Sequence, residues 1–167
     1  MNEKYQILSA LVENSAGVLS QVSRMFSRKG FNIISLAVGE TDDPAVSRMT
    51  IIVHTDDEMI QQIASQLGKL LPVISVKVLN NAESVRRELI LVKLRAESRE
   101  TRDEIIQIVS IFRAKIVDVG AKTLTVEITG DHGKAVALLD LLRGFGILEL
   151  VRTGTVALER GTSCMEQ

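Results

Sequence analysis

The chain has 167 residues, 46% of them hydrophobic, and a formal net charge of −1 at neutral pH. This apolar content is enough for one packed domain or two small ones, and it excludes a disordered chain. Acidic and basic residues are interspersed, which argues against nucleic acid or an anionic membrane as a partner. One Tyr, four Phe and no Trp leave few rings on which bases could stack, which argues against an RNA-binding version of any fold.

The N-terminal segment MNEKYQIL and the single cysteine, Cys164, bear on where the chain works. The segment has charges but no apolar stretch of signal-peptide length, and no apolar run reaches the ~20 residues that span a bilayer. One cysteine cannot form an intrachain disulfide, which suits a reducing compartment. We therefore predict a cytoplasmic protein with no membrane partner and a flexible tail over residues 162–167.

The first half of the chain predicts a ferredoxin-like unit, in the order β-α-β-β-α-β. The strands are predicted over Tyr5–Val12, Asn32–Gly39, Arg48–His54 and Val73–Leu79. The first helix has one apolar face, formed by Val18, Leu19, Val22, Met25 and Phe26. The second helix carries Met59, Ile60, Ile63, Leu67, Leu70 and Leu71 on one side. We expect Gly30 to stop the first helix, Asp56 and Asp57 to cap the second, and Pro72 to end it.

The second half repeats this order at a spacing of roughly eighty residues, well above solenoid periods. Its strands are predicted over Glu88–Leu94, Ala114–Val119, Thr123–Ile128 and within Ile147–Leu158. Its helices are marked by Ile105, Ile106, Ile108, Val109 and Phe112, and by Ala135, Leu138, Leu139 and Leu142. The predicted fold class is therefore α+β, with two tandem ferredoxin-like domains over residues 1–80 and 84–161.

The strand Tyr5–Val12 is apolar on both faces, although a ferredoxin-like sheet has helices on one face only. Ile7 and Leu11 lie on one face, and Leu8 and Val12 lie on the other. A strand that is apolar on both sides predicts a sheet buried on both sides. A second copy of the chain or the second domain could supply the cover, and we expect a homodimer whose sheets face each other or meet edge to edge.

The turn ENSAG, over residues 13–17, is the best candidate for a binding site. It lies where a strand leads into a helix, so free backbone N–H groups stand beside a glycine and small polar side chains, which suits a carboxylate. Asn14 and Ser15 are also good helix caps, so a structural role is the simpler interpretation of either alone. Asn32, which begins the next strand, could reach a ligand at the helix start, and its amide suits both ends of an amino acid. A branched aliphatic side chain would fit among Val18, Leu19 and Ile33.

Other polar clusters predict no catalytic or metal site. The acidic residues Asp42, Asp43, Asp56, Asp57 and Glu58 are explained by a turn and a helix cap, and their spacing matches no metal-ligand pattern. The segment TGDHGKA lacks the spacing of a phosphate-binding loop. His54 and His132 have no Cys or Ser partner in their sequence context, which argues against a small ferredoxin-like enzyme.

Four segments carry a family resemblance: ENSAGVLSQV, FSRKGFNIISLAVGETDDPAVSRMTI, VRREL and FGILELVRTGTVALERG. They resemble the small regulatory subunit of acetolactate synthase, also called acetohydroxyacid synthase, from about Tyr5 to Gly161. The first half resembles an ACT domain, which is the amino-acid-sensing form of the ferredoxin-like fold. The second half resembles the C-terminal domain of the same family.

The resemblance implies a non-catalytic subunit that binds a large catalytic subunit. That partner carries thiamine diphosphate, Mg²⁺ and FAD, and condenses two pyruvates or pyruvate with 2-oxobutyrate. The small subunit raises this activity and confers feedback inhibition by valine, or also by leucine or isoleucine. The rival interpretation is a free-standing tandem ACT sensor that acts on another metabolic or transcriptional partner.

In the family the effector lies between two ACT domains. By motif match, its contacts in this chain are Asn14, Gly17 and the amides that follow it, with Asn32 from the neighbouring chain. The predicted effector site at this interface also includes Ser15, Val18, Leu19 and Ile33. One departure is Ala16, where the family often has a proline before the glycine. Because proline favours the first turn of a helix, this change leaves the strength of the effector response open.

Overall fold

The computed structural model describes residues 4–165. The chain divides into two compact units, of which the first contains the residues up to Val85 together with those from Thr155 onward. The second unit is Arg86–Gly154. Each unit has two helices packed on an antiparallel sheet, which confirms the predicted α+β class and the tandem ferredoxin-like arrangement.

The first unit contains the predicted β-α-β-β-α-β order. Its elements are β1 (Lys4–Glu13), α1 (Val18–Lys29), β2 (Ile33–Glu40), β3 (Val46–Thr55), α2 (Asp57–Leu67) and β4 (Val73–Leu79). The strands lie in the order β2-β3-β1-β4, so β1 pairs antiparallel with both β3 and β4. Alternate residues of β1 then face the helices, where Leu8, Ala10 and Val12 pack with Val22 and Phe26.

Helix α1 buries the predicted face except at one position. Val18, Val22, Met25 and Phe26 are buried, whereas Leu19 is 47% exposed. Leu19 belongs to the predicted apolar face but lies beside the buried stripe, because successive helical residues are rotated by about 100°. Gly30 ends the helix as predicted, in the left-handed conformation, and its N–H donates to carbonyls of the last turn.

Helix α2 ends earlier than predicted. Its last residue is Leu67 and Gly68 follows it, so Pro72 does not terminate the helix. Leu70 packs against the core from the turn, while Leu71 is 96% exposed. The helical spacing of the apolar residues continued past the point where glycine weakens the helix, and this made the predicted helix too long.

Strand β2 contains a bulge that changes which residues face the core. The pairing with β3 shifts between Ile33 and Ser35. Ile33 and Leu36 therefore both pack against the core, whereas Ile34 and Val38 are about half exposed. An extra residue at a bulge inverts the in–out alternation on one side of it, and simple period-two reading of a sequence does not detect this.

The second unit repeats the order of the first. Its elements are β5 (Ser84–Arg95, whose first two residues belong to the first unit), α3 (Arg99–Ile111), β6 (Lys115–Val119), β7 (Thr123–Gly130), α4 (His132–Leu142) and β8 (Ile147–Arg152). The sheet order is β6-β7-β5-β8. Ile90, Val92 and Leu94 of β5 pack against Ile105 and Leu138 of the two helices.

The C-terminal segment contains two strands where one was predicted. β8 stops at Arg152, and β9 (Val156–Glu159) follows after Gly154, whose φ of 80° breaks the extended conformation. β9 pairs with β5. From Thr155 onward the chain belongs to the first unit, whereas the predicted boundary assigned residues 155–161 to the second domain.

The returning segment covers part of the face of the first sheet that the helices leave open. Ala157 is buried with Ile7 of β1 and Leu79 of β4. Lys77 Nζ and Glu159 Oε2 are 2.8 Å apart, and the Thr155 N–H donates to Ser35 Oγ at 3.2 Å. A second copy of the chain is therefore not needed to bury Ile7, and the homodimer remains a prediction on other grounds.

Candidate functional site

The turn between β1 and α1 differs from its predicted capping arrangement. Gly17 is the N-cap of α1, with a φ of 88°, and no side chain caps the helix. Asn14 instead points to the turn between β2 and β3, where its Nδ2 donates to Glu40 Oε1 at 3.0 Å and to the Pro44 carbonyl at 2.9 Å. The interpretation of Asn14 and Ser15 as caps was therefore wrong, because the N-cap position is occupied by Gly17 in the left-handed conformation and neither side chain caps the helix.

The start of α1 has the electrostatic character of an anion site. The first four N–H groups of a helix have no partner within the helix, and the helix dipole adds a partial positive charge there. Here the first turn contains no acidic residue. The Val18 N–H has only a long contact, 3.5 Å, to the Ser15 carbonyl. Because Ser15 and Gly17 are exposed, a small carboxylate could reach these amides from solvent.

The structure separates the predicted contact residues into two groups. Asn14, Ser15, Gly17 and Leu19 are exposed and lie together at this turn. Val18 is only 3% exposed and its side chain belongs to the core, so it can offer a ligand its backbone N–H and not its side chain. Leu19, in the first turn of α1, presents a large apolar side chain to solvent.

Asn32 and Ile33 lie far from this turn within one chain. α1 has 12 residues, which corresponds to about 18 Å of helix, and Asn32 follows its far end. The strand register agrees, since Ile33 pairs with Val53 and Val53 pairs with Gln6 near the start of β1. The expectation that Asn32 of the same chain reaches a ligand at the helix start was therefore wrong, and its contact from a neighbouring chain remains a prediction.

Glu40 is a neighbour of the site that the sequence did not reveal. It is exposed at the end of β2 and accepts the hydrogen bond from Asn14. No local motif points to it, because the contact arises from pairing: Glu40 pairs with Ser47 of β3, and Ser47 pairs with Val12 near the end of β1. The order β2-β3-β1, read with its register, would have placed Glu40 close to Asn14.

Three of the acidic residues singled out in the sequence, Asp43, Asp56 and Asp57, make local structural contacts. Asp43 Oδ1 accepts from the Ala45 N–H at 2.8 Å, and Asp56 Oδ1 accepts from the Met59 N–H at 2.7 Å. Asp57 accepts hydrogen bonds from Lys4 and Gln6, and these, with the charge of Lys4, hold the pKa of its carboxyl below the usual range.

The remaining candidates bring no further site together in the part of the chain that the structure describes. Across residues 4–165, no three His, Cys, Asp or Glu side chains are grouped so as to hold a metal ion. Over the same residues, no helix has the length and apolar content needed to cross a membrane. His132 Nδ1 lies 3.8 Å from Glu88 Oε1 in the second unit, and His54 packs its ring near Tyr5 in the first.

Comparison with protein families assigns both halves of the chain. Residues 8–75 match a family model described as the AHAS small subunit-like ACT domain. Residues 87–161 match a second model, described as the small subunit of acetolactate synthase. The first match contains every residue of the candidate turn as well as Glu40.

Individual relatives agree with this assignment over nearly their whole length. The chain is 51% identical to a probable acetolactate synthase small subunit from Methanothermobacter thermautotrophicus, over 99% of this chain and 98% of that one. It is 47% identical to the acetolactate synthase small subunit of Mycobacterium bovis, over 96% and 95% of the two chains.

A solved structure of a small subunit has the same fold as this chain. The crystal structure of the acetolactate synthase small subunit from Thermotoga maritima superposes with a TM-score of 0.88 at 40% identity, and the match covers 96% of this chain and 99% of that one. The resemblance carried by the four sequence segments is confirmed, and the chain belongs to the family of acetolactate synthase small subunits.

Proposed function

We propose that this chain is a regulatory subunit that activates the catalytic subunit of acetolactate synthase and makes it sensitive to inhibition by valine. Membership of the small-subunit family supports the role. The observation that carries the sensor part is the exposed turn at Gly17, where a helix begins with no side-chain cap and no acidic residue in its first turn. Leucine and isoleucine are the alternative effectors.

The proposed effector pose follows from the groups at this turn. The carboxylate of the amino acid binds the N–H groups after Gly17, as anions bind at helix starts. Both Nδ2 hydrogens of Asn14 are used by Glu40 and Pro44, so its Oδ1 is the atom that accepts from the ammonium group. The aliphatic side chain lies against Leu19, which is exposed for such a contact.

A dimer formed through β2 would complete this site. β2 is an outer strand of its sheet, and Ile34 and Val38 are 48% and 46% exposed, so pairing with a second β2 would bury apolar surface as well as backbone groups. In an antiparallel pair related by a two-fold axis near Leu36, Asn32 of the partner subunit lies opposite Glu40, because 32 and 40 are equally far from 36. That arrangement brings Asn32 of the partner subunit, with Ile33 beside it, to the turn that holds Asn14.

Regulation then arises because valine and the catalytic subunit bind preferentially to different arrangements of the dimer. Valine that contacts both chains stabilises one arrangement, while the catalytic subunit prefers the other. A coupling free energy of ~1–3 kcal/mol gives effects of about 5–150-fold. By reciprocity, the catalytic subunit should change the affinity for valine by the same factor.

The chemistry of the holoenzyme is assigned to the partner. We propose that thiamine diphosphate, Mg²⁺ and FAD bind the catalytic subunit, and that this chain contributes no catalytic residue. A cytoplasmic location remains a prediction from the sequence.

The test is acetolactate formation by the catalytic subunit of the same organism, with and without this chain, across a titration of L-valine. Activation that valine reverses would support both parts of the proposal. Activation without a valine response would keep the regulatory role and make leucine or isoleucine the next effector to try. No activation at all would favour the free-standing sensor.

A further inference from the structure

We infer that Glu40 recognises the α-ammonium group of the effector, so that the site selects an amino acid over the matching acid that lacks an amino group. This inference rests on the proposed function and assigns a specificity-determining residue to its binding site. It starts from one contact, the 3.0 Å hydrogen bond from Asn14 Nδ2 to Glu40 Oε1.

The environment of Glu40 leaves its charge available to a ligand. Its side chain is exposed, and none of the ion pairs formed among residues 4–165 includes it. A carboxylate can accept about four hydrogen bonds, and Asn14 supplies the one that the described residues show. The neighbouring carboxylate of Asp43 differs, because it accepts the Ala45 N–H within its own turn.

Asn14 fixes this carboxylate beside the proposed effector pose. One amide nitrogen bonds both Glu40 and the Pro44 carbonyl, and the Asn14 N–H donates to the Ala45 carbonyl at 2.7 Å. Asn14 thus links two kinds of group: its side chain holds the Glu40 acceptor, and its backbone lies three residues before Gly17, the N-cap that precedes the donor N–H groups of α1. A zwitterion has the complementary pair of ends, with an acceptor carboxylate and a donor ammonium.

The experiment is calorimetric titration of the full chain with L-valine and, separately, with 3-methylbutanoate, which has the same aliphatic group and carboxylate but no ammonium. Glu40→Gln removes the charge and keeps a carbonyl that can accept the Asn14 hydrogen bond. Glu58→Gln is the matched control, since it removes one exposed carboxylate from the same unit at the start of α2. Cooperative thermal unfolding of all three chains, well above the temperature of the titration, would show that each is folded.

We expect Glu40→Gln to weaken valine binding by about tenfold, as for the loss of one charge-assisted hydrogen bond. The affinity for 3-methylbutanoate should stay within about twofold, and Glu58→Gln should leave both ligands unchanged. Equal affinity of the wild-type and Glu40→Gln chains for valine would overturn the inference and leave the proposed function intact. A wild-type chain that binds no valine, alone or with its catalytic subunit, would overturn both.

Discussion

Ala157, in the last strand of the chain, packs against Ile7 in the first, and both side chains are buried on the face of the first sheet that the helices leave open. The contact joins residues at opposite ends of the chain. Because β1 is one of the two inner strands of the first sheet, the C-terminal segment is part of the structure of the first unit. A polar substitution at Ala157 should therefore lower the stability of the first unit.

We expect Ala157→Asp to lower the free energy of unfolding by about 3 kcal/mol, because it places an unpaired carboxylate in an apolar cluster. Leu158→Asp is the control, since it adds the same charge one residue away at a side chain that is 57% exposed. Urea unfolding followed by circular dichroism measures both. Equal stability of the two variants would contradict the packing of β9 on the sheet.

Gly17 and Gly30 give a matched pair at the two ends of α1. Both have positive φ, 88° and 72°, and a Cβ added at either would meet no atom within 4 Å. Alanine at each should therefore cost about 1 kcal/mol from backbone strain alone. We expect only Gly17→Ala to weaken the valine response as well, because Gly17 forms the turn whose amides are proposed to bind the carboxylate of the effector.

Thermal unfolding and the valine dependence of acetolactate formation, measured on both variants, test this prediction. A similar loss of valine response in Gly30→Ala would mean that the effect follows helix stability and not the turn.

We expect Asp57 to make a pH-dependent contribution to the free energy of unfolding. Hydrogen bonds from Lys4 and Gln6, with the Lys4 charge, lower the pKa of its carboxyl in the folded state. A group with a lowered folded pKa binds its proton more readily when unfolded, so its contribution is present above the unfolded value and is lost as the pH falls through the folded value.

The Asp57→Asn variant should therefore be less stable than the wild type near neutral pH. The two melting temperatures should converge as the pH falls below about 3.9, the usual value for an aspartate. Glu58→Gln, at the next position of the same helix turn, measures the part of any effect that comes from charge at the helix start. A constant difference between Asp57→Asn and wild type down to pH 2 would show that the ionised carboxylate is not the stabilising form.

The element order of both units could be predicted because the spacing of the apolar residues agreed with the positions of the turn-forming residues. β4 has the predicted bounds, Val73–Leu79, since Pro72 and Asn80 flank an apolar run. The early end of α2 does have a residue signal, Gly68, but the apolar spacing that continues to Leu71 outweighed it in the prediction. The bulge between Ile33 and Ser35 could not be predicted, because it depends on the pairing of β2 with β3 and has no residue signal of its own.

The candidate site was predicted only in part for the same reason. The turn at Gly17 is local and could be read from the sequence, whereas the contact between Asn14 and Glu40 joins residues 26 positions apart. Ala157 and Ile7, which also pack together, are still farther apart in the sequence. No periodicity in β9 indicates which sheet this strand covers. Pairing across the sheet therefore had to come from the structure.

The central claim is that one effector site contains Asn14 of one chain and Asn32 of the partner subunit. The most direct test mixes or co-expresses the Asn14→Ala and Asn32→Ala chains and measures acetolactate formation by the catalytic subunit across an L-valine titration. Each variant alone should activate without a valine response, while their mixture should regain part of it, because a mixed dimer has one intact site. A mixture as insensitive as either variant, or a single variant that keeps full sensitivity, would contradict the shared site.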